Sequence, residues 1–347
     1  MRDHSSATSR VGFPISVSSG LFWGFVGVLI FSFTVPFTRL AVGDGAMSPI
    51  LVGAGRAVVA AMASGLLLAG TRQPLPRGGQ WWRLVVVAAG VVAGFPLLTS
   101  FALTRTEASH GAVVIALLPA ATAVAAVVRV RERPPRTFWI ASTVGAVAAV
   151  GFAVLQGGGL GQVGSADLLL FGAVVAAAVG YAEGGLLARE LGAWQTVSWA
   201  LVISAPVMLV LTISAVVRHP PQAGATEWAA FAYLGLMSMW LGFFAWYRGL
   251  AVGPMAQVSQ IQLTQPVMTI AWAGLLLGEE ITPLTVVGGA VVILCAALAV
   301  RSRRTPAPPC ASGDSASPGS GGRDVLLDVG EPAGGSDIAG HPQVASR

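Results

Sequence analysis

Apolar runs close to the length that crosses a bilayer recur down the chain, separated by short polar stretches. They lie at about 20–41, 48–69, 84–103, 110–129, 137–155, 168–188, 194–217, 228–250, 255–277 and 282–300. Each reads as a membrane-spanning helix, which makes ten. The junction near 103–110 is the weakest, because "LTRTEASHGA" is its only polar interruption, and nine helices is the competing count. The fold class expected is an all-α integral membrane protein.

Composition agrees with the pattern. Of the 347 residues, 54% are hydrophobic and 10% charged, against roughly 25% charged in an ordinary soluble domain. The basic residues then orient the helices. All 20 are arginines, and cytoplasmic loops hold the excess of basic residues. With the N-terminus inside, Arg2, Arg10, Arg72, Arg77, Arg83, Arg129, Arg131, Arg133, Arg136, Arg189, Arg248, Arg301, Arg303 and Arg304 fall inside, while Arg39, Arg105 and Arg218 lie towards the outside. Ten helices with both termini in the cytoplasm satisfy this, so the basic balance encodes orientation and no nucleic-acid partner is expected. "MRDHSSATSR" has no A-x-A-like cleavage site, so the first apolar run is expected to be a retained helix. The Pro/Gly/Ser-rich tail from about 305 reads as disordered, and Cys295 and Cys310 give no disulfide framework.

The chain also repeats itself. Shifted by 147 positions, Ala102-Leu103 falls on Gly249-Leu250, Pro119 on Pro266 and Glu132 on Glu279; a shift of 148 places "WGFVG" at 23–27 over "FGAVV" at 171–175. Five helices per copy is an odd number, so the copies enter the membrane from opposite sides, as in the inverted repeats of secondary transporters. The expected organisation is a cytoplasmic segment 1–19, five-helix repeats at 20–155 and 156–301, and a cytoplasmic tail 302–347. Glu132 and Glu279 mark equivalent helix ends, where a carboxylate accepts hydrogen bonds at the start of the following helix. Glu279 and Glu280 are a poor acid/base pair, since adjacent helical positions point about 100° apart.

"GFFAWYRGLAVGPMAQVSQIQLTQPVMTIAWAGLLLGEEITPLTVVGGAVVILCAALAV" at 242–300 resembles the second repeat of EamA-type transporters in the drug/metabolite transporter superfamily, through its helix-9 proline, its helix-ending "GE" and "GGAVVIL". "GRAVVAAM" at 55–62 is similar to the start of that family's second helix, and "RERPP" stands where the first repeat's "GE" would be. The resemblance covers about 20–300. It implies ten helices, an inverted repeat and gradient-driven export of small metabolites or drugs, without naming a substrate.

A chain with no lysine has no phosphate-cradling G-x-x-x-x-G-K-[ST] loop, so it cannot drive transport with ATP by itself. Two readings from other classes compete, an intramembrane enzyme and a non-transporting membrane protein. The first lacks H-E-x-x-H, G-x-S-x-G and paired-Asp signatures, and the second leaves the inverted repeat unexplained.

A transport site belongs between the halves near the midplane. Pro36, Pro119 and Pro266 in helices 1, 4 and 9 each free a carbonyl, serving as inherited kinks, as hinges, or as both. Gln257, Gln260 and Thr264 follow helical spacing as a polar stripe opening helix 9, among Gln262 and Gln265; His110 aligns with Gln257 in the first repeat, where the stripe is absent. Helix–helix hydrogen bonding and substrate choice are both open for it. Trp23, Trp199, Trp240 and Tyr181 lie inside helices and suit either cavity lining or core packing. Arg56, about eight residues into helix 2, needs a partner, either backbone carbonyls or a substrate anion. Glu183 in "VGYAEGGLL" lies in an apolar span, where it suits proton or cation binding, or else snorkels or pairs with Arg189. No catalytic residue, metal or cofactor is expected. The expected partners are a small-molecule substrate, amino-acid-like or amphipathic, the plasma-membrane bilayer, and a coupling proton, with a homodimer left open.

Overall fold

A backbone placed in hydrocarbon must satisfy its own hydrogen bonds, and runs rich in Ala, Val, Leu and Gly do so as helices. A computed structural model describes residues 17–130, 135–156, 164–252 and 261–302. These form α1 (Ser19–Gly45), α2 (Pro49–Gly70), α3 (Gln80–Ala102), α4 (Ala108–Arg129), α5 (Arg136–Gln156), α6 (Ser165–Leu191), α7 (Ala193–Arg218), α8 (Ala225–Gly249), α9 (Gln265–Leu277) and α10 (Pro283–Ser302), with no strand among the described residues. Seven of them, α1 to α4 and α6 to α8, are long and apolar enough to cross a membrane. Gln257, Gln260, Glu132 and the tail lie outside the described residues.

The helix ends follow local chemistry. Ser48 Oγ accepts the Leu51 N–H (3.2 Å) ahead of Pro49 at the start of α2. Asp167 and Glu227 reach back to the amides of Gly164 (3.0 Å) and Gly224 (2.7 Å) to open α6 and α8. Gly278, at φ 66°, ends α9 while the Glu279 N–H returns to the Ala273 carbonyl (3.4 Å). One expectation is corrected here: Glu279 does not cap the helix that follows it. Its oxygens accept the Ala108 and Ser109 amides (2.7 and 2.8 Å), so it caps α4, far away in sequence, where the orphan N–H groups of a helix start attract an anion.

The described residues pack as one compact unit. Within it α2 lies against α7, α5 against α10, and α4 against α9; α1 packs on α8 as α3 packs on α6, and α1 on α9 as α4 on α6. Adding five to each helix number turns every one of these pairings into itself or another. The close pairs rest on glycines. A Cβ on Gly249 would stand 2.7 Å from the Gly24 backbone nitrogen across α8 and α1, and one on Gly90 would run into the Ala176 carbonyl across α3 and α6.

The third helix of each half carries the same irregularity, a π-type stretch at Ala88–Gly94 in α3 and at Tyr233–Leu241 in α8. Phe95 N–H reaches the Gly90 carbonyl, and Gly242 N–H reaches that of Met237, in each case five residues back. Large apolar side chains such as Leu66, Val210 and Leu275 stay exposed on outer helix faces, as suits a protein whose solvent is lipid.

Candidate functional site

Three interrupted helices meet in the interior. Pro36 has no N–H for the Ser32 carbonyl four residues back, and α1 breaks at Phe33. The released carbonyl is used by another helix: Thr269 Oγ1 of α9 donates to it (2.9 Å), Trp272 Nε1 donates to Ser32 Oγ (2.9 Å), and Phe33 stacks on Trp272 with centroids 4.6 Å apart. Pro119 fails Ile115 in the same way, and α4 opens into a turn at Ala116–Leu117. Pro266 fails Gln262, whose carbonyl takes the Gln265 N–H in a 3₁₀ turn over Gln262–Thr264 just before α9. The breaks in α4 and α9 thus fall one repeat apart.

Pro119 and Pro266 line one cavity with Val35, the neighbour of Pro36, and with Ile115, Ala116, Gln262, Gln265 and Thr269. Its volume is about 10 Å³, the room of a single water, so the centre is closed around a polar patch. Gln262 is 4% exposed and its Nε2 has no hydrogen-bond partner among the described residues. Of the polar stripe expected to open helix 9, the described member, Thr264, is exposed and spends its hydroxyl on the Ile261 carbonyl (2.7 Å). The inward positions are Gln262 and Thr269, because the 3₁₀ turn rotates the helix face relative to an ideal α spacing.

Glu183 is not a lone acid. Its Oε1 accepts Arg83 Nε from α3, and its Oε2 accepts Arg129 Nε from α4 (2.6 Å), while Arg83 Nη1 also reaches Glu190 (2.6 Å). A second buried acid, which the sequence reading passed over, lies towards the other end of α6. Asp167 holds His110 of α4 (Nε2 to Oδ1, 2.7 Å), and the His110 ring stacks on Phe152. Arg105 bonds Ser165 beside them (2.5 Å). The α4–α6 seam, which joins the two halves, is therefore clamped near each end. Between the clamps an apolar groove of about 650 Å³ runs along α4, α5 and α6 past Leu117, Val124, Phe171 and Val175 to Arg129 and Glu183.

Arg56 of α2 is 1% exposed, and it meets a side chain: Nη1 reaches Thr38 Oγ1 of α1 at 3.4 Å. Trp23, Trp199 and Trp240 do not line the central cavity. Trp23 lies under the Arg248 guanidinium (4.8 Å), Trp199 meets Trp81 edge-on, and Trp240 meets Phe244 edge-on. Tyr181 packs against Phe243 (5.9 Å), which adjoins the buried Tyr247. The structure thus joins Pro119 and Pro266 at the centre beside the break of α1, sets His110 and Glu183 at opposite ends of one seam, and leaves the tryptophans dispersed.

Known proteins share this architecture. The family model described as "EamA-like transporter family" matches residues 18–154 and again 164–301. The "Uncharacterized transporter YdeK" of Bacillus subtilis (strain 168) is 44% identical over 284 residues, covering 82% of this chain and 98% of its own. The "Probable terminal-alkyne amino-acid exporter" of Streptantibioticus cattleyicolor is 29% identical over 251 residues, covering 72% of this chain and 80% of its own. A solved crystal structure at 19% identity covers 83% of this chain and 99% of its own with a TM-score of 0.56, which speaks to the fold alone. Two matched repeats spanning most of the chain, each carrying a proline-broken fourth helix, make this a multi-pass membrane protein of the EamA-like transporter family.

Proposed function

We propose that the chain is a gradient-driven exporter of small amphipathic or amino-acid-like solutes, working by alternating access across the plasma membrane. In this reading ten helices cross the bilayer as two inverted five-helix repeats, with both termini in the cytoplasm. The observation that carries it is the matched pair of breaks before Pro119 and Pro266, which meet at a closed cavity between the halves with Gln262, Gln265 and Thr269 in its wall. A helix interrupted at the same place in both repeats supplies two hinges around one site, as alternating access needs. The exchange of packing pairs on adding five to each helix number, and the π-type stretches in α3 and α8, support the inverted repeat. The name of the Streptantibioticus relative, an amino-acid exporter, favours amino-acid-like solutes. With no lysine for a phosphate loop, the energy source is a gradient, for which the proton is the proposed ion.

The test is flux from liposomes holding the purified protein, with and without a pH gradient. The solutes are the proteinogenic amino acids, propargylglycine as a terminal-alkyne amino acid, and ethidium as an amphipathic cation. Carrier-dependent flux that responds to the gradient is expected. No flux of any solute under either condition ends the transporter reading. Reporter fusions after residues 78 and 134 are expected to read cytoplasmic and those after 45, 162 and 222 external; a cytoplasmic signal at 162 breaks the ten-helix topology.

A further inference from the structure

Arg56 is the largest fully buried side chain among the described residues, at 1% exposure, and it carries a permanent charge. Its Nη1 has the long contact to Thr38 Oγ1 (3.4 Å), while its Nε and Nη2 find no hydrogen-bond partner among the described residues. These two nitrogens are neighbours on one edge of the guanidinium plane, and their N–H bonds run side by side. That edge is the half of the fork that a carboxylate accepts with both oxygens at once. A guanidinium deep in a helix bundle is costly without a counter-charge, yet no ion pair to it is present among the described residues.

The surroundings are polar for the interior of a helix bundle. Thr38 belongs to a buried hydroxyl ladder: its Oγ1 donates to the Thr34 carbonyl (2.7 Å), and Thr34 Oγ1 shares a hydrogen bond with Ser238 Oγ of α8 (2.8 Å). Ser238 sits in the π-type stretch of α8, and such irregular turns gather at functional sites. Gly235 of the same stretch lets α8 come close to α2, since a Cβ there would stand 3.1 Å from the Val59 side chain. One turn away from Thr34 on α1, Phe37 packs edge-on against Tyr233 (4.7 Å), giving an aromatic wall on the same two helices.

We propose that Arg56, backed by the Thr38, Thr34 and Ser238 hydroxyls, binds the carboxylate of the transported solute, so that the substrate class is a carboxylic acid such as an amino acid. This rests on the transporter reading above and narrows it. The arrangement in which α1, α2 and α8 stand together around the arginine is then one stage of the cycle.

The experiment compares, in liposomes, each amino acid of the panel with its carboxamide, which keeps the side chain and amine and removes the anionic oxygens. Wild type is expected to move at least one amino acid and to discriminate against its amide by about 10- to 100-fold in kcat/KM, the scale of a lost charge-assisted pair. Arg56→Lys, verified as folded and monodisperse, keeps the charge and loses the fork; its KM for that amino acid is expected to rise by about the same factor. Equal transport of acid and amide overturns the proposal, and so does an unchanged KM in Arg56→Lys. If the variant does not fold, the acid-against-amide comparison in wild type decides by itself. Flux of ethidium with no flux of any amino acid overturns the carboxylate site and leaves a transporter standing. Absence of all flux removes the transporter reading itself.

Discussion

Glu183 shows how far a single residue can be read without its neighbours. An acid among Val, Ala and Gly announces itself in the sequence, but the two arginines that meet it come from α3 and α4, 100 and 54 positions away. Its side chain is 7% exposed, Arg83's 20% and Arg129's 51%. Removing the carboxylate's charge leaves two guanidinium groups facing each other across the gap. We expect Glu183→Gln to lower the thermal unfolding midpoint in detergent by a few degrees, from a loss of about 1–3 kcal/mol once the exposure of Arg129 is allowed for. An unchanged midpoint, joined to loss of pH-driven flux, would instead make Glu183 a proton carrier. Arg56 was visible for the same reason as Glu183, a charge in an apolar run. Asp167 was not, because it lies near a helix start where an acid is ordinary.

At the scale of elements, the prolines were the legible part. A missing N–H weakens a helix where it falls, and α1, α4 and α9 are interrupted just before their prolines, while α7 runs through Pro206 without a break. The π-type stretches of α3 and α8 were not legible, since a bond five residues back leaves no residue signature. Nor was the capping of α4 by Glu279, because nothing local says which helix start a carboxylate will meet. Glycines matter here only where backbones touch. Gly90→Ala places a methyl group against the Ala176 carbonyl and the Gly180 backbone, neither of which is a flexible side-chain tip. It is therefore expected to force α3 from α6 and to cut the yield of folded protein several-fold, while Gly70→Ala, with nothing within 4 Å, leaves it unchanged. Equal yields of the two variants, read by fluorescence-detected size exclusion, would show that the α3–α6 approach is not required.

For the whole molecule, the repeat was legible as a 147-residue spacing, but the seam across which the halves meet was not. The structure makes α4 and α6 one such seam, with His110–Asp167 and Arg105–Ser165 towards one end and Arg129–Glu183 towards the other. At about 1.5 Å per residue, the 16 positions from Asp167 to Glu183 span about 24 Å, near the depth of the hydrocarbon layer. In the proposed topology the two polar clamps lie near opposite faces of the bilayer. If the halves rock about the proline hinges, the clamps must part in alternation, and the His110 clamp must open to release solute on its side. Arg105→Cys with Ser165→Cys, in a background with Cys295 and Cys310 replaced by serine, puts a thiol on each side of that clamp. Bridging them with a short bis-methanethiosulfonate reagent is expected to reduce flux at least 10-fold, and a reductant to restore it. Each single-cysteine variant treated alike should keep its rate. Full flux with the bridge demonstrably closed on gels would mean that the seam does not part during transport, and the rocking motion would have to run through the α1–α9 junction instead.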